Sequence, residues 1–182
     1  MSRLNAPATG DLTTETRAVL DGIGAQFGFV PSMFQTLAAN PTVLEVVTSL
    51  QSKLARVLDA KTRHTIALAV SESNGCDYCL AMHSYVSLQL GGMSQEDIRL
   101  ARSGSSIDPR RSAVAHFVQQ VVDTRGHVSD ADLAAVRSAG YTDAQILAIV
   151  TVTVQFLLTN FLNNVNKTEV DVPAIDTSAA AP

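Results

Sequence analysis

The chain has 182 residues, enough for one domain with a sizeable core, and nearly half are apolar, with few aromatics and no tryptophan, so that core must be mostly Leu, Val, Ala and Ile. Its 13 basic and 17 acidic side chains leave a net charge of −4 with no basic block, which argues against nucleic acid as the main partner. No signal-peptide-like run opens the chain, and no stretch reaches the length of a membrane span, since residues 146–158 are interrupted by Thr151, Thr153 and Gln155; a cytoplasmic protein is expected.

Residues 1–12, rich in Pro, Gly and small polar side chains, read as an extended arm ahead of a single domain at residues 13–173. Asp11 or Thr13 caps a helix over 14–27, with Val19, Leu20, Ile23 and Phe27 as its apolar stripe. Gly28-Phe29-Val30-Pro31 breaks the chain, and Pro31 opens a short helix over 32–39. Asn40-Pro41 repeats the device for a helix over 41–57, with Leu44, Val47, Leu50 (or Val46), Leu54 and Val57 facing inward. Asp59 caps a strongly apolar helix over 61–74, stopped at Asn74-Gly75 by a left-handed turn that Gly adopts without steric cost.

A new helix starts near Cys76 and runs to Gln89, ended by Gly91-Gly92. Ser94-Gln95-Glu96-Asp97 opens the next, to Arg102, with acids in its first turn. Residues 109–124 form another, with Ala113, Phe117, Val118, Val121 and Val122 apolar. Ser129-Asp130-Ala131-Asp132 caps a short helix to Ser138, and Thr142 or Asp143 caps the last long helix, to about Asn164. Residues 174–182 read as a flexible tail. No segment alternates convincingly with period two, so the expected fold is all-α, with short loops and antiparallel helix neighbours.

The chemistry concentrates between His64 and His83. This stretch holds both cysteines of the chain, Cys76 and Cys79, and His83 follows the second by four. At a helix start, free N–H groups and the helix dipole stabilise a thiolate. The spacing sets Cys76, Cys79 and His83 on one face. Two thiols so placed can close a disulfide, and His83 can take a proton from Cys79 directly or through a water. An ordinary thiol, with a pKa of about 8.5, is only about 3% ionised at pH 7, so a nucleophilic role needs that help.

In a reducing compartment a lone C-x-x-C points to catalysis or metal rather than to a structural staple. A zinc site needs four ligands, and beyond Cys76, Cys79 and His83 no second pair stands nearby. Attached haem requires His directly after the second cysteine, where Leu80 stands. Inert buried thiols are the remaining alternative. Tyr78 reads as a packing residue, and Asn160, Asn163, Asn164 and Asn166 as a local helix end. His116 and His127 are assigned no role.

The run Asn74-Gly75-Cys76-Asp77-Tyr78-Cys79-Leu80-Ala81-Met82-His83, after the apolar helix over 65–70, resembles the alkylhydroperoxidase D-like group of the carboxymuconolactone decarboxylase superfamily, in particular its peroxidase-related members. The likeness extends to Gly28-Phe29-Val30-Pro31-Ser32-Met33-Phe34, Asn40-Pro41 and Phe161-Leu162-Asn163-Asn164, about residues 28–173 in all. It implies a compact, multi-helix, homo-oligomeric thiol peroxidase of antioxidant defence, with no cofactor of its own. In it Cys79 attacks the hydroperoxide, Cys76 resolves the sulfenic acid to a disulfide, His83 serves the proton relay, and an external dithiol returns the electrons. The family's relay glutamate falls twelve residues before the first cysteine, where this chain has His64. Glu72, two turns further along, is not expected to replace it. Two other readings stand beside the peroxidase: a carboxymuconolactone decarboxylase-like enzyme, whose acid–base chemistry needs no dithiol, and a non-catalytic helical oligomer with a degraded relay.

Overall fold

The structure, a computed structural model, describes residues 2–175. Those residues form one 3-10 turn, Thr9–Asp11, and nine helices with no strand: α1 (Thr14–Phe27), α2 (Ser32–Leu37), α3 (Pro41–Leu54), α4 (Ala60–Ser73), α5 (Asp77–Gln89), α6 (Gln95–Arg102), α7 (Pro109–Asp123), α8 (Asp130–Ser138) and α9 (Asp143–Asn166). Most of the tail expected at 174–182 lies outside the described residues.

Side-chain caps set the helix starts. Thr13, Asn40, Asp59 and Ser94 each accept from a first-turn N–H, and Ser129 and Thr142 close reciprocal capping boxes with Asp132 and Gln145. Thr13 and Thr142 are therefore the caps, rather than Asp11 and Asp143. Asp108, not anticipated as a cap, accepts from the N–H groups of Arg110 and Arg111 and starts α7.

Helix α4 is the centre of the fold. Residues 65–71 are all buried, because α4 packs against α5, α6, α7 and α9. A helix apolar all round is one that has neighbours all round. One core cluster gathers Leu20, Phe34, Leu44, Tyr78 and Met82 with both cysteines; another gathers Ile66, Val70, Val118, Ile149 and Val152.

Several inward assignments are corrected. Val19, Val46 and Val57 are exposed, and α3 stops at Leu54, so that Leu58 beyond its end is buried in place of Val57. On α7 Val114 and Ala115 are buried while Ala113 and Val122 sit at the edge, because that helix is covered by α4, α8 and α9 together. The N-terminal arm is not simply extended: the N–H of Arg3 donates to Asn166 O (2.7 Å) and that of Leu4 to Asn166 Oδ1 (2.7 Å), tying it to the end of α9.

Helix α9 is also longer than expected. By length and composition alone its 24 residues could cross a membrane, which corrects the expectation that no stretch reaches that length. Thr151 and Thr153 do not interrupt it, since their hydroxyls bond back to Leu147 O (2.8 Å) and Ile149 O (2.9 Å). In this fold it is a core helix, packed on α3, α4, α5 and α7, with Gln155, Asn160 and Asn163 buried on the inner face.

Asp97 holds the α6–α7 connection. Its side chain, 1% exposed, accepts from Ser106 Oγ (2.7 Å) and Ile107 N (3.1 Å) and pairs with Arg111 Nη2 (2.9 Å). Replacing it with Ala strands two donors and half of the Arg111 pairing in a largely buried setting. Asp97→Ala is expected to cost about 3 kcal/mol, read from the shift in urea unfolding midpoint at constant slope.

Candidate active site

The site begins where α4 stops. The Gly75 N–H donates to Glu72 O (3.0 Å) and the Cys76 N–H to Ser71 O (3.0 Å), with Gly75 at φ 55°. This paired return of N–H groups onto the last turn is a Schellman stop, and it needs a residue without Cβ strain at Gly75. The Asn74 side chain pins the stop from outside, donating to Val70 O (2.9 Å) and Asn160 Oδ1 (3.2 Å). Two residues after the stop, Cys76 takes the N-cap position of α5 in extended conformation, and Cys79 falls in the first turn.

Both cysteines are free and buried, yet their surroundings differ. The Cys79 thiol hydrogen-bonds to the Cys76 sulfur, which lowers the Cys76 pKa; burial and neighbouring Asp77 oppose this, while the Cys79 N–H, not in cap-bond geometry, assists. The same bridging proton raises Cys79, and burial adds to it. The pair titrates as a unit, and its first proton leaves more readily from Cys76 than from Cys79. Access favours the other sulfur. Cys79 lines a cavity of about 540 Å³, whereas Cys76 lies behind it. Asn163 Nδ2 donates to Cys79 Sγ (3.4 Å), and Asn160 also lowers the pKa of Cys79, so charge on Cys79 is supported once the bridging proton crosses to Cys76.

His83 and His64 line the same cavity. The His83 ring meets Phe156 edge-on, 5.0 Å between centroids at 82°. Burial pushes its pKa down to about 3, and His64 nearby adds to the shift. His64 is pushed down to about 4 by burial and by the charge of Arg63. Both imidazoles are neutral at pH 7, each with one donor and one acceptor nitrogen. Gly91 closes over His64: a Cβ there would lie 2.7 Å from the ring, so only glycine lets the end of α5 come this near. No hydrogen bond joins His83 to Cys79 among the described residues, so a proton between them crosses through water or a bound molecule.

Of the sequence-predicted residues, then, Cys79, His83 and His64 share one cavity wall, and Cys76 backs it. Glu72 lies outside, paired with Arg102 (2.6 Å). Tyr78 does more than pack: it lines the cavity and its hydroxyl accepts from Met33 N (3.3 Å). The asparagines of α9 do not merely end the helix. Asn160 donates to Ser71 Oγ (3.2 Å), Asn164 to Asn74 O (3.0 Å) and Asn163 to Cys79, so they fasten α9 to the α4–α5 junction. Gln155, Thr159 and Asn163 recur every four residues along the cavity wall. That polar line on the buried face of an apolar helix was the available signal for Asn163 and Gln155. Among the described residues no three His, Cys, Asp or Glu side chains stand together as a metal site.

The sequence profile of the Carboxymuconolactone decarboxylase family matches residues 41–121. None of the curated proteins matches the chain. A peroxidase-related protein from Ralstonia eutropha JMP134 with an alkylhydroperoxidase AhpD core is similar in structure at 25% identity and a TM-score of 0.83, covering 93% of this chain and 92% of that one. A peroxidase-related protein from Silicibacter sp. TM1040 is similar at 25% identity and a TM-score of 0.82, with the same coverage. The debrominase Bmp8 shares the fold at 16% identity and a TM-score of 0.79, over 93% of this chain and 92% of its own. The profile match spans α3 to α7 and includes both cysteines, and together with the shared all-helical architecture it supports assignment of the chain to the AhpD-like, carboxymuconolactone decarboxylase superfamily.

Proposed function

We propose that the protein is a thiol-dependent hydroperoxidase that works through a Cys76/Cys79 dithiol–disulfide cycle. The observation that carries this reading is a buried dithiol with one sulfur, Cys79, on the wall of a cavity shared with two neutral histidines. The cavity volume of about 540 Å³ exceeds a water-sized guest, about 30 Å³, by more than tenfold, which favours an organic hydroperoxide over hydrogen peroxide.

In the proposed cycle the bridging proton crosses to Cys76, and Cys79 thiolate attacks the outer peroxide oxygen. The O–O bond breaks, the alcohol leaves with a proton, and Cys79 becomes a sulfenic acid. A histidine held near pKa 3 does not store a proton; neutral His83, with His64 beside it, relays through water the proton that the dithiol gave up on ionising, so that the alkoxide leaves as the alcohol. Cys76 then attacks the sulfenic sulfur, an S–S bond forms and water leaves. An external dithiol reduces the disulfide by exchange, as a reducing cytoplasm would allow. The balance is two thiols and one hydroperoxide in, one disulfide, one alcohol and one water out.

A lactone decarboxylase is the second reading, favoured by the family profile and by two neutral imidazoles suited to acid–base work. It leaves the dithiol without a part. A third is a non-catalytic oligomer with a degraded relay.

The outer face of α9 supports self-association. Leu147, Val154, Leu158, Phe161 and Val165 are exposed and, with Thr151, follow a 4-3-4-3-4 spacing, the seam by which two helices interlock. A second copy of the chain is the occupant proposed for it.

A stoichiometric pulse of cumene hydroperoxide on reduced protein should remove both thiols and lower the intact mass by two hydrogens. Cys79→Ser should abolish turnover, and Cys76→Ser should stop at a sulfenic acid trapped by dimedone; full activity in Cys79→Ser would sink the peroxidase reading. His64→Glu, restoring the family's relay carboxylate, should raise the oxidation rate at least about tenfold for a weakened peroxidase and leave a dead site unchanged.

Acid should destabilise the fold. Both histidines are neutral in the folded state but ionise near 6.5 when unfolded, so the unfolded chain gains protons first. Stability is intact above about pH 6.5 and falls as pH drops towards 4, by up to roughly 2 kcal/mol per histidine at pH 5 and less where a ring keeps some solvent. Urea midpoints at pH 7 and pH 5 measure this, and the His64→Gln, His83→Gln double variant should lose most of the slope.

Light scattering on the purified chain should give a dimer or a higher multiple. Leu158→Glu with Phe161→Glu should shift it to monomer; an unchanged mass would clear this face of the role.

A further inference from the structure

The charges on the cavity wall are one-sided. The chain is acidic overall, with 17 carboxylate side chains against 13 basic ones, yet among the described residues no Asp or Glu lines the cavity, while Arg56 and Arg63 do. Arg56, just beyond α3, is exposed, and its guanidinium has no partner among the described residues. Arg63 precedes His64 on α4 and donates from Nη1 to Leu58 O (2.5 Å), which leaves most of its five N–H groups open. Its charge reaches into the cavity, since it bears on the neighbouring His64.

A third donor stands deeper. Gln155 is 5% exposed, and its Nε2 has no hydrogen-bond partner although it lines the cavity. Buried N–H groups are rarely left so, because the desolvation is uncompensated. Gln155 lies eight residues, about 12 Å of helix rise, from Asn163 at the Cys79 sulfur. Two cations and an orphaned amide are all donors, and among the described residues no carboxylate on the wall answers them. Phe27, Phe34, Met82 and Phe156 give the wall an apolar stretch beside neutral polar side chains such as Gln51 and Thr159.

We propose that this cavity takes an amphipathic organic anion: a hydroperoxide whose apolar body lies on the aromatic wall, whose peroxide reaches Cys79, and whose carboxylate is held by Arg56 and Arg63 with Gln155 as a further donor. The peroxide half of this proposal rests on the peroxidase reading above; the anion half rests on the cavity alone. A carboxylate gripped by guanidinium forks makes charge-assisted bonds that an ester cannot make. The gain falls on binding, because the head group is remote from the breaking O–O bond.

The test compares para-carboxycumene hydroperoxide with its methyl ester as oxidants of the reduced full-length protein, and para-isopropylbenzoate with its methyl ester as non-reacting ligands in calorimetry. The acid is expected to be favoured about tenfold in both, mainly through KM and Kd, a size suited to partly solvent-screened ion pairs. Raising the salt concentration should shrink the preference. Arg56→Gln, at an exposed position that does not endanger the fold, should cut it several-fold. Equal acceptance of acid and ester, or a preference indifferent to Arg56→Gln, would overturn the anion assignment while leaving the peroxidase standing. Preferential binding of the benzoate with no thiol oxidation by either hydroperoxide would do the reverse, keeping the anion site and removing the peroxide.

Discussion

Helix α4 is enclosed by four other helices, and the site depends on where that enclosure lets it stop. Helix α4 is buried over residues 65–71, and where it leaves the core its last carbonyls, Ser71 O among them, still need partners. The Schellman return at Gly75 and Cys76 answers that demand with the chain's own N–H groups. The same two hydrogen bonds fix the chain direction into α5, so Cys76 arrives at an N-cap and Cys79 one turn above it. The dithiol is thus a by-product of terminating a core helix, and its rigidity is inherited from the core.

Burial then shapes the chemistry. Two sulfurs removed from water do not ionise together, because a second charge beside the first would be neither solvated nor compensated. The asparagines of α9 supply the few donors available, with Asn160 also holding Ser71 and Asn164 holding the Asn74 carbonyl. They stabilise the junction and the sulfur together, so the amides that keep α9 against α4 cannot be removed without disturbing Cys79. Stability and reactivity are coupled at this point.

Much of this was legible in the sequence because it is local. Thr13, Asn40, Asp59, Ser94, Ser129 and Thr142 announce their helices through short-range capping, and Asn74-Gly75 announces a stop. Periodicity also found Leu44, Val47, Phe117 and Val118. It failed where burial depends on neighbours: Val46 and Val57 fit a helical stripe but nothing covers them, and Val114 and Ala115 are buried only because α8 and α9 close over α7. The asparagine cluster failed for the same reason, since a capping residue and a long-range donor look alike until the fold brings Cys79 beside Asn163. Gly91 reads as a helix end, and only the approach of the His64 ring reveals its second task.

His64, at the position where the resemblance implies a relay glutamate, has a physical effect of its own. A carboxylate beside His83 would favour the imidazolium and raise its pKa towards neutrality. His64 does the opposite: being a base itself, it adds to the depression of His83, and Arg63 adds to that of His64. The cavity therefore has no resident proton store near neutral pH, and positive charge accumulates only on the arginines. Such a site is poor at drawing a proton off Cys79 in advance, so in the proposed cycle the nucleophile would have to come from proton transfer within the thiol pair. It is well suited to a guest that brings negative charge, because that guest meets cations at the wall and no competing carboxylate. His64 and the one-sided charge of the cavity then belong to one electrostatic arrangement, in which, on the proposal above, the anionic partner comes from solution rather than from the chain.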